Sequence, residues 1–199
     1  MSIDGPDFVA DLTTQMRRFL GTTVLRWTGW KIEGALPSYP KYVIIAAPHT
    51  SNWDFIVGIA AMFHLNLQVH WLGKHTLFRW PFGRFFKSLG GIPVDRASSE
   101  GVVDLMVRSL QQHDPFIVGL SPEGTRKKVV EWKTGFYYIA LGAEVPIVPV
   151  SFDYSKRVIT IHASFSPTGN LEEDLRVLQS LYSSRMAKHP ELFSPGTGS

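Results

Sequence analysis

The chain of 199 residues contains no cysteine. That excludes a disulfide framework, a zinc–thiolate site and a thiol nucleophile, and it fits a reducing compartment. No run of about 18 apolar residues occurs, so no membrane-crossing helix is expected. Asp4, Asp7 and Asp11 stand where a secretion signal needs a basic start and an apolar stretch, so no signal peptide is expected. Charged residues are sparse at 19%, against 44% hydrophobic, a composition that suits one globular domain. Acids fall slightly short of bases, 17 against 20, and the net charge of +3 is too mild to suggest a nucleic-acid partner. The excess is uneven, however. Lys74, Arg79, Arg84, Lys87 and Arg96 share one stretch with a single acid, Asp95. Such a patch suits phosphate or an anionic membrane surface.

Apolar, β-branched runs alternate with helical patterns. Strands are expected at 42–47, 68–72, 91–95, 116–120, 145–152 and 157–162. Helices are expected at 7–28, 52–65, 76–88, 99–112, 132–141 and 171–188. Helix 99–112 has the clearest pattern, with Val102, Val103, Leu105, Met106 and Leu110 at helical spacing. The alternation predicts a single α/β domain with a largely parallel or mixed sheet flanked by helices, the last two strands pairing as a hairpin. Residues 1–34 read as an amphipathic helical segment, 35–193 as the α/β domain and 194–199 as a disordered tail.

Pro48-His49-Thr50-Ser51-Asn52-Trp53-Asp54 joins the strand Tyr42–Ala47 to an apolar helix. Functional groups in open α/β sheets sit at such strand-to-helix turns. On one continuous helix His49 and Asp54 would lie about 140° apart and not meet. They meet if His49 stays in the loop and Asp54 reaches back from the first helical turn. The carboxylate then orients one ring nitrogen while the other faces a substrate hydroxyl. The same letters also fit a capping box, with Ser51 as N-cap and Asp54 at N3, which would leave His49 an ordinary loop residue.

Three further elements carry chemistry or shape. Ser121-Pro122-Glu123-Gly124-Thr125-Arg126 follows the strand Phe116–Leu120. Gly124 allows a turn that gathers backbone N–H groups, Thr125 adds a hydroxyl, and Arg126 offers a fork for phosphate. Lys127, Lys128 and Lys133 strengthen the positive field. Glu123 does not suit an anion pocket, and binding Arg126 or a substrate hydroxyl would account for it. Gly91-Ile92-Pro93-Val94-Asp95-Arg96 ends a short strand in an acid and a base. Val145-Pro146-Ile147-Val148-Pro149-Val150 carries two prolines, which predicts an edge or bulged strand.

These four elements, in this order, resemble the glycerolipid acyltransferase family that includes 1-acyl-sn-glycerol-3-phosphate acyltransferases. The family's motifs are His-x4-Asp, a strand ending in Arg, Phe-Pro-Glu-Gly-Thr/Ser-Arg, and an apolar stretch around proline. The match runs from about residue 40 to 152. Ser121 stands where the family has Phe, and Lys127 where it has Ser or Asn. The resemblance implies an O-acyltransferase that moves a fatty acyl group from acyl-CoA or acyl carrier protein to a lysophospholipid or glycerol phosphate. It makes His49 the general base and Asp54 its orienting partner. Glu123, Gly124, Thr125 and Arg126 would line the acceptor site, with Arg96 and Lys133 near its phosphate. Val145, Pro146, Ile147 and Pro149 would border the acyl channel. No cofactor or metal is implied beyond the thioester co-substrate.

A surface location at the inner face of the cytoplasmic membrane is expected from two segments. Phe8, Leu12, Met16, Phe19, Leu20, Val24, Trp27 and Trp30 approximate a helical stripe with Arg17, Arg18 and Arg26, although Gly21-Thr22-Thr23 could divide it. Residues 78–87 mix aromatics with cations. Other acceptors, such as an amino-acid-derived lysolipid or a sugar lipid, remain open, as does a lipid-binding module on the same fold.

Overall fold

Alternating apolar strands and amphipathic helices have to bury both faces of the sheet, and the chain does so with helices on each side. A computed structural model describes residues 6–94 and 99–194. Its elements are α1 (Pro6–Thr28), β1 (Lys31–Glu33), β2 (Lys41–Ala47), α2 (Asn52–His64), β3 (His70–Lys74), α3 (Gly83–Ser88), β4 (Gly91–Val94), α4 (Ser99–Gln112), β5 (Phe116–Leu120), α5 (Gly135–Gly142), β6 (Ile147–Asp153), β7 (Val158–Ile161) and α6 (Leu171–Gln179). The strand order is β1-β7-β6-β2-β5-β3-β4. Neighbours run parallel except β6 and β7, which form an antiparallel hairpin. The single α/β domain with a mixed, mostly parallel sheet is the architecture expected from the sequence.

β2 lies in the middle and shows how the two cores divide. Val43, Ile45 and Ala47 point to one face, against Met106 and Leu110 of α4, Phe136 of α5 and Leu178 of α6. Tyr42 points to the other, with Leu25 of α1 and Val57, Ala60 and Ala61 of α2. A strand covered on both faces needs no polar alternation, which is why Tyr42–Ala47 reads as one apolar run.

Several expected boundaries shift for local reasons. The helix expected at 76–88 breaks, because Pro81 disfavours helix at the residue before it. A 3₁₀ turn at His75–Phe78 and the short α3 replace it. The helix expected at 171–188 stops at Gln179, and Tyr182 turns inward to pack edge-on against Trp132. The three residues of β1 were too short to show in the sequence. Gly21 does not divide α1. A Cβ there would lie 2.5 Å from the Ala60 carbonyl oxygen, so the glycine lets α1 and α2 approach closely.

Of the edge or bulged strand expected from the two prolines, only the edge is corrected: β6 pairs with β2 on one side and β7 on the other. Pro149 is tolerated because it falls between the β7 ladder and an isolated bridge from Ile147 to Phe165, where the partner strand is interrupted. Its carbonyl still accepts from the His162 N–H at 2.9 Å.

The N-terminal segment is tied to the rest: Leu25 and Trp30 belong to the core on the α1–α2 face, and β1 is part of the sheet. At the other end Ser194, assigned to the tail, is buried, and its hydroxyl accepts from the Val129 N–H at 2.9 Å. The rest of the tail, 195–199, lies outside the described residues.

Candidate active site

Because β2 and β5 are adjacent and parallel, with Ile45 opposite Leu120, the loops that follow them emerge side by side. β6 flanks β2 on the other side, with Ala47 opposite Ser151. His49 therefore sits between the loop after β5 and the turn after β6, outside the carboxyl ends of the strands.

Ser51 starts α2 with extended backbone angles, and its side chain accepts from the Trp53 N–H. The capping box is present: Asp54, at N3, reaches back so that Oδ2 accepts from the Ser51 N–H at 2.9 Å. The same oxygen lies 3.1 Å from His49 Nδ1. Cap and orienting carboxylate are thus one residue, and the two sequence readings are compatible. Asp54 is buried, while the His49 side chain keeps 28% exposure. A carboxylate can only accept, so Nδ1 carries the proton and Nε2 is left as a free acceptor. The other carboxylate oxygen, Oδ1, accepts from the Tyr154 hydroxyl at 2.6 Å. Nothing local in the sequence pointed to Tyr154, which lies 100 positions from its partner.

Glu123 departs from expectation. It is 2% exposed, and its Oε2 accepts from the His49 backbone N–H at 2.6 Å. The Ser121 hydroxyl donates to the same oxygen at 3.5 Å, which gives the serine at that position a role. Among the described residues no ion pair joins Glu123 to Arg126. The glutamate ties the loop after β5 to the loop after β2 instead of opening onto solvent. Its Oε1 is buried and has no hydrogen-bond partner among the described residues.

Burial raises the Glu123 carboxyl from 4.5 to about 7, and the His49 N–H offsets only part of that rise. The folded protein therefore holds a proton that the unfolded chain releases, between about pH 4.5 and 7. The contribution of this one carboxyl is full below pH 4.5, declines by about 3 kcal/mol as pH rises to 7, and levels off above. Urea unfolding from pH 4.5 to 8 should show this decline in the wild type. Glu123→Gln should flatten it; an equal slope in both would assign the linkage to another group.

Gly124 takes φ +64°, and a Cβ there would meet the Lys133 side chain at 2.9 Å, so the loop and Lys133 come together. The Gly124 N–H donates to the Ser121 carbonyl, closing the turn on itself. Thr125 Oγ1 accepts from the Lys127 N–H at 3.3 Å. Arg126, Lys127, Lys128 and Lys133 are exposed beside it. Arg96 lies outside the described residues. Val145, Ile147 and Pro149 are buried, and Val145 and Ile147 belong to the core on the α4–α5 side. Pro146, just before β6, is partly exposed. Among the described residues, no three His, Asp or Glu side chains converge to hold a metal ion.

Residues 31–153 match the sequence model of the acyltransferase family. The chain is 27% identical over 132 residues to a 1-acyl-sn-glycerol-3-phosphate acyltransferase of Haemophilus influenzae, covering 61% of this chain and 53% of that protein. It is also 27% identical over 145 residues to the Escherichia coli protein of that name, covering 67% and 57%. The chain thus spans little more than half the length of these relatives. In fold it is similar to the crystal structure of the 1-acyl-sn-glycerophosphate acyltransferase PlsC from Thermotoga maritima. The TM-score is 0.65 at 20% identity, over 90% of this chain and 80% of that one.

Proposed function

The chain belongs to the acyltransferase family, and from that premise we propose that it moves a fatty acyl group from a thioester to the hydroxyl of a lysophospholipid or glycerol phosphate such as 1-acyl-sn-glycerol 3-phosphate. One observation carries the reading: His49 is held through Nδ1 by a buried carboxylate, with Nε2 left free among the described residues at the carboxyl end of the central strands. Nε2 takes the acceptor hydroxyl's proton as that oxygen attacks the thioester carbonyl. The tetrahedral intermediate collapses, the C–S bond breaks, and the departing thiolate takes the proton back from the imidazolium. Asp54 stabilises the imidazolium throughout, and no covalent acyl-enzyme is required. The N–H groups of His49, Ser51 and Trp53 are already bonded within the protein, so an oxyanion donor must come from elsewhere.

Thr125, Arg126 and Lys133 form the acceptor's phosphate side, and Arg96 joins them by its place in the second motif. The donor is acyl-CoA or acyl carrier protein. The test is thiol release from each donor against a panel of lysolipids and glycerol phosphate. Release that depends on a phosphate-bearing acceptor is the expected result. Turnover only with phosphate-free acceptors would overturn the acceptor assignment, and no release with any pair would overturn the reaction.

The reading includes reversible docking on the inner face of the membrane. Among the described residues, no helix is long and apolar enough to cross one. Large apolar side chains stand exposed on the outer side of the α1–α2–α3 layer: Met16, Phe19 and Trp27 on α1, Trp53 and Ile56 on α2, and Trp80, Phe82 and Phe85 at α3. Trp27 is 91% exposed, whereas Trp30 is 8% exposed and packs edge-on against Tyr154, so only the first can reach lipid. Phe19→Ser with Trp27→Ser should abolish co-sedimentation with anionic vesicles while leaving Tm nearly unchanged, because neither ring is in the core. Retained sedimentation would place the membrane face elsewhere.

A further inference from the structure

We propose that Tyr154 is a positioning residue for acyl transfer, fixing the Asp54 carboxylate and drawing charge from it, so that the phenol governs how Asp54 holds the His49 ring. This rests on the reading of His49 as the base and assigns a role outside the four motifs.

The geometry is specific. Asp54 receives donors from three parts of the fold: the His49 ring from the loop after β2, the Ser51 N–H from the cap of α2, and the Tyr154 hydroxyl from the turn after β6. The first two meet Oδ2, and Tyr154 alone meets Oδ1. With both oxygens engaged, the carboxylate cannot rotate about its own axis and lose His49. Tyr154 is itself held. Its ring lies edge-on to Trp30 at 4.9 Å, and its backbone N–H donates to the Met186 carbonyl at 2.9 Å.

The electrostatic consequence follows from the donor count. A hydrogen bond to a carboxylate draws off charge and stabilises the ionised form. Without that bond more charge stays on the Asp54 oxygens, and their pull on an imidazolium at His49 strengthens. Burial, then Asp54, pushes the Tyr154 phenol far above its usual value, so the hydroxyl remains a donor throughout the working range. Among the described residues, the other ionisable groups facing the assembly are Glu123, bonded to the His49 N–H, and Lys188, whose Nζ lies 4.9 Å from the Trp53 ring centre and 5.9 Å from that of Tyr154. His189 follows on the same segment, and its N–H donates to Thr50 Oγ1. Replacing the Tyr154 hydroxyl alters none of these.

The experiment is a titration of the His49 ring by NMR in the full chain, comparing wild type with Tyr154→Phe. It needs no substrate, so it decides the matter even if the acyl-transfer reading fails. The His49 pKa should rise by roughly half to one unit in the variant. Where thiol release is measured, the acid limb of kcat/KM should move up by the same amount. Some loss of Tm is expected, since Oδ1 is left without its donor; a residue that only packs would lower Tm and leave the titration and the limb in place. That result overturns the proposal. Should Tyr154→Phe fail to fold, 3,5-difluorotyrosine at position 154 keeps the shape and strengthens the donor. It must then shift His49 downward, and an unshifted titration is equally fatal.

Discussion

His49→Ala is expected to abolish acyl transfer in a protein that still folds and still binds vesicles. The ring is partly exposed, and among the described residues its polar contact is Asp54. After truncation Oδ2 keeps the Ser51 N–H and Oδ1 keeps Tyr154, so no buried charge is stranded. The tether from the His49 backbone N–H to Glu123 does not involve the side chain and survives. What disappears is the imidazole acceptor proposed to take the hydroxyl proton. Loss of such a base costs roughly 10²–10⁴-fold. Thiol release per folded molecule, with circular dichroism and Tm beside it, makes the comparison. Near-wild-type turnover by the folded variant would remove His49 from the chemistry.

Asp54→Asn is the second large effect, and it separates two functions of one side chain. The amide can leave its oxygen where Oδ2 stood, accepting from Ser51, and turn its NH2 toward the Tyr154 oxygen. The cap is then largely kept, at a cost of about 1 kcal/mol. The negative charge that favours imidazolium in the transition state is lost, and so is the firm hold on the Nδ1–H tautomer. In a comparable histidine–carboxylate pair this change costs roughly 10⁴-fold, and here 10²–10⁴-fold is expected in kcat. Urea unfolding and turnover should be measured on the same preparation. A stability loss with unchanged turnover per folded molecule would make Asp54 a cap and nothing more.

What could be read from the sequence follows the range over which each signal acts. α4 was legible to the residue, because its pattern lies within one window. β2 and β5 were legible because central strands are apolar throughout. The His49–Asp54 pair was legible because both ends lie within one turn. Tyr154 and the Glu123 tether were not, since each joins residues brought together only by the order of strands. Trp30 shows a different failure. It continues the spacing of the exposed stripe, but α1 ends at Thr28 and Gly29 turns at φ +74°, so the next residue points inward. Pro149 misled because a missing donor was read as an edge, when an interruption in the neighbouring strand serves equally well.

The packing of Trp30 under Tyr154 bears on how small a working enzyme can be made. A minimal version cut after residue 34 would look reasonable from the motifs, all of which lie later in the chain. It would remove Leu25, Trp30 and strand β1 together, opening one side of the sheet and taking away the ring that braces the tyrosine on Asp54. Grafting the four motifs onto another scaffold would meet the same obstacle. The removable part of the N-terminus ends well before Gly21, where α1 presses tightly on α2, since Arg17 already lies over the Phe63 ring.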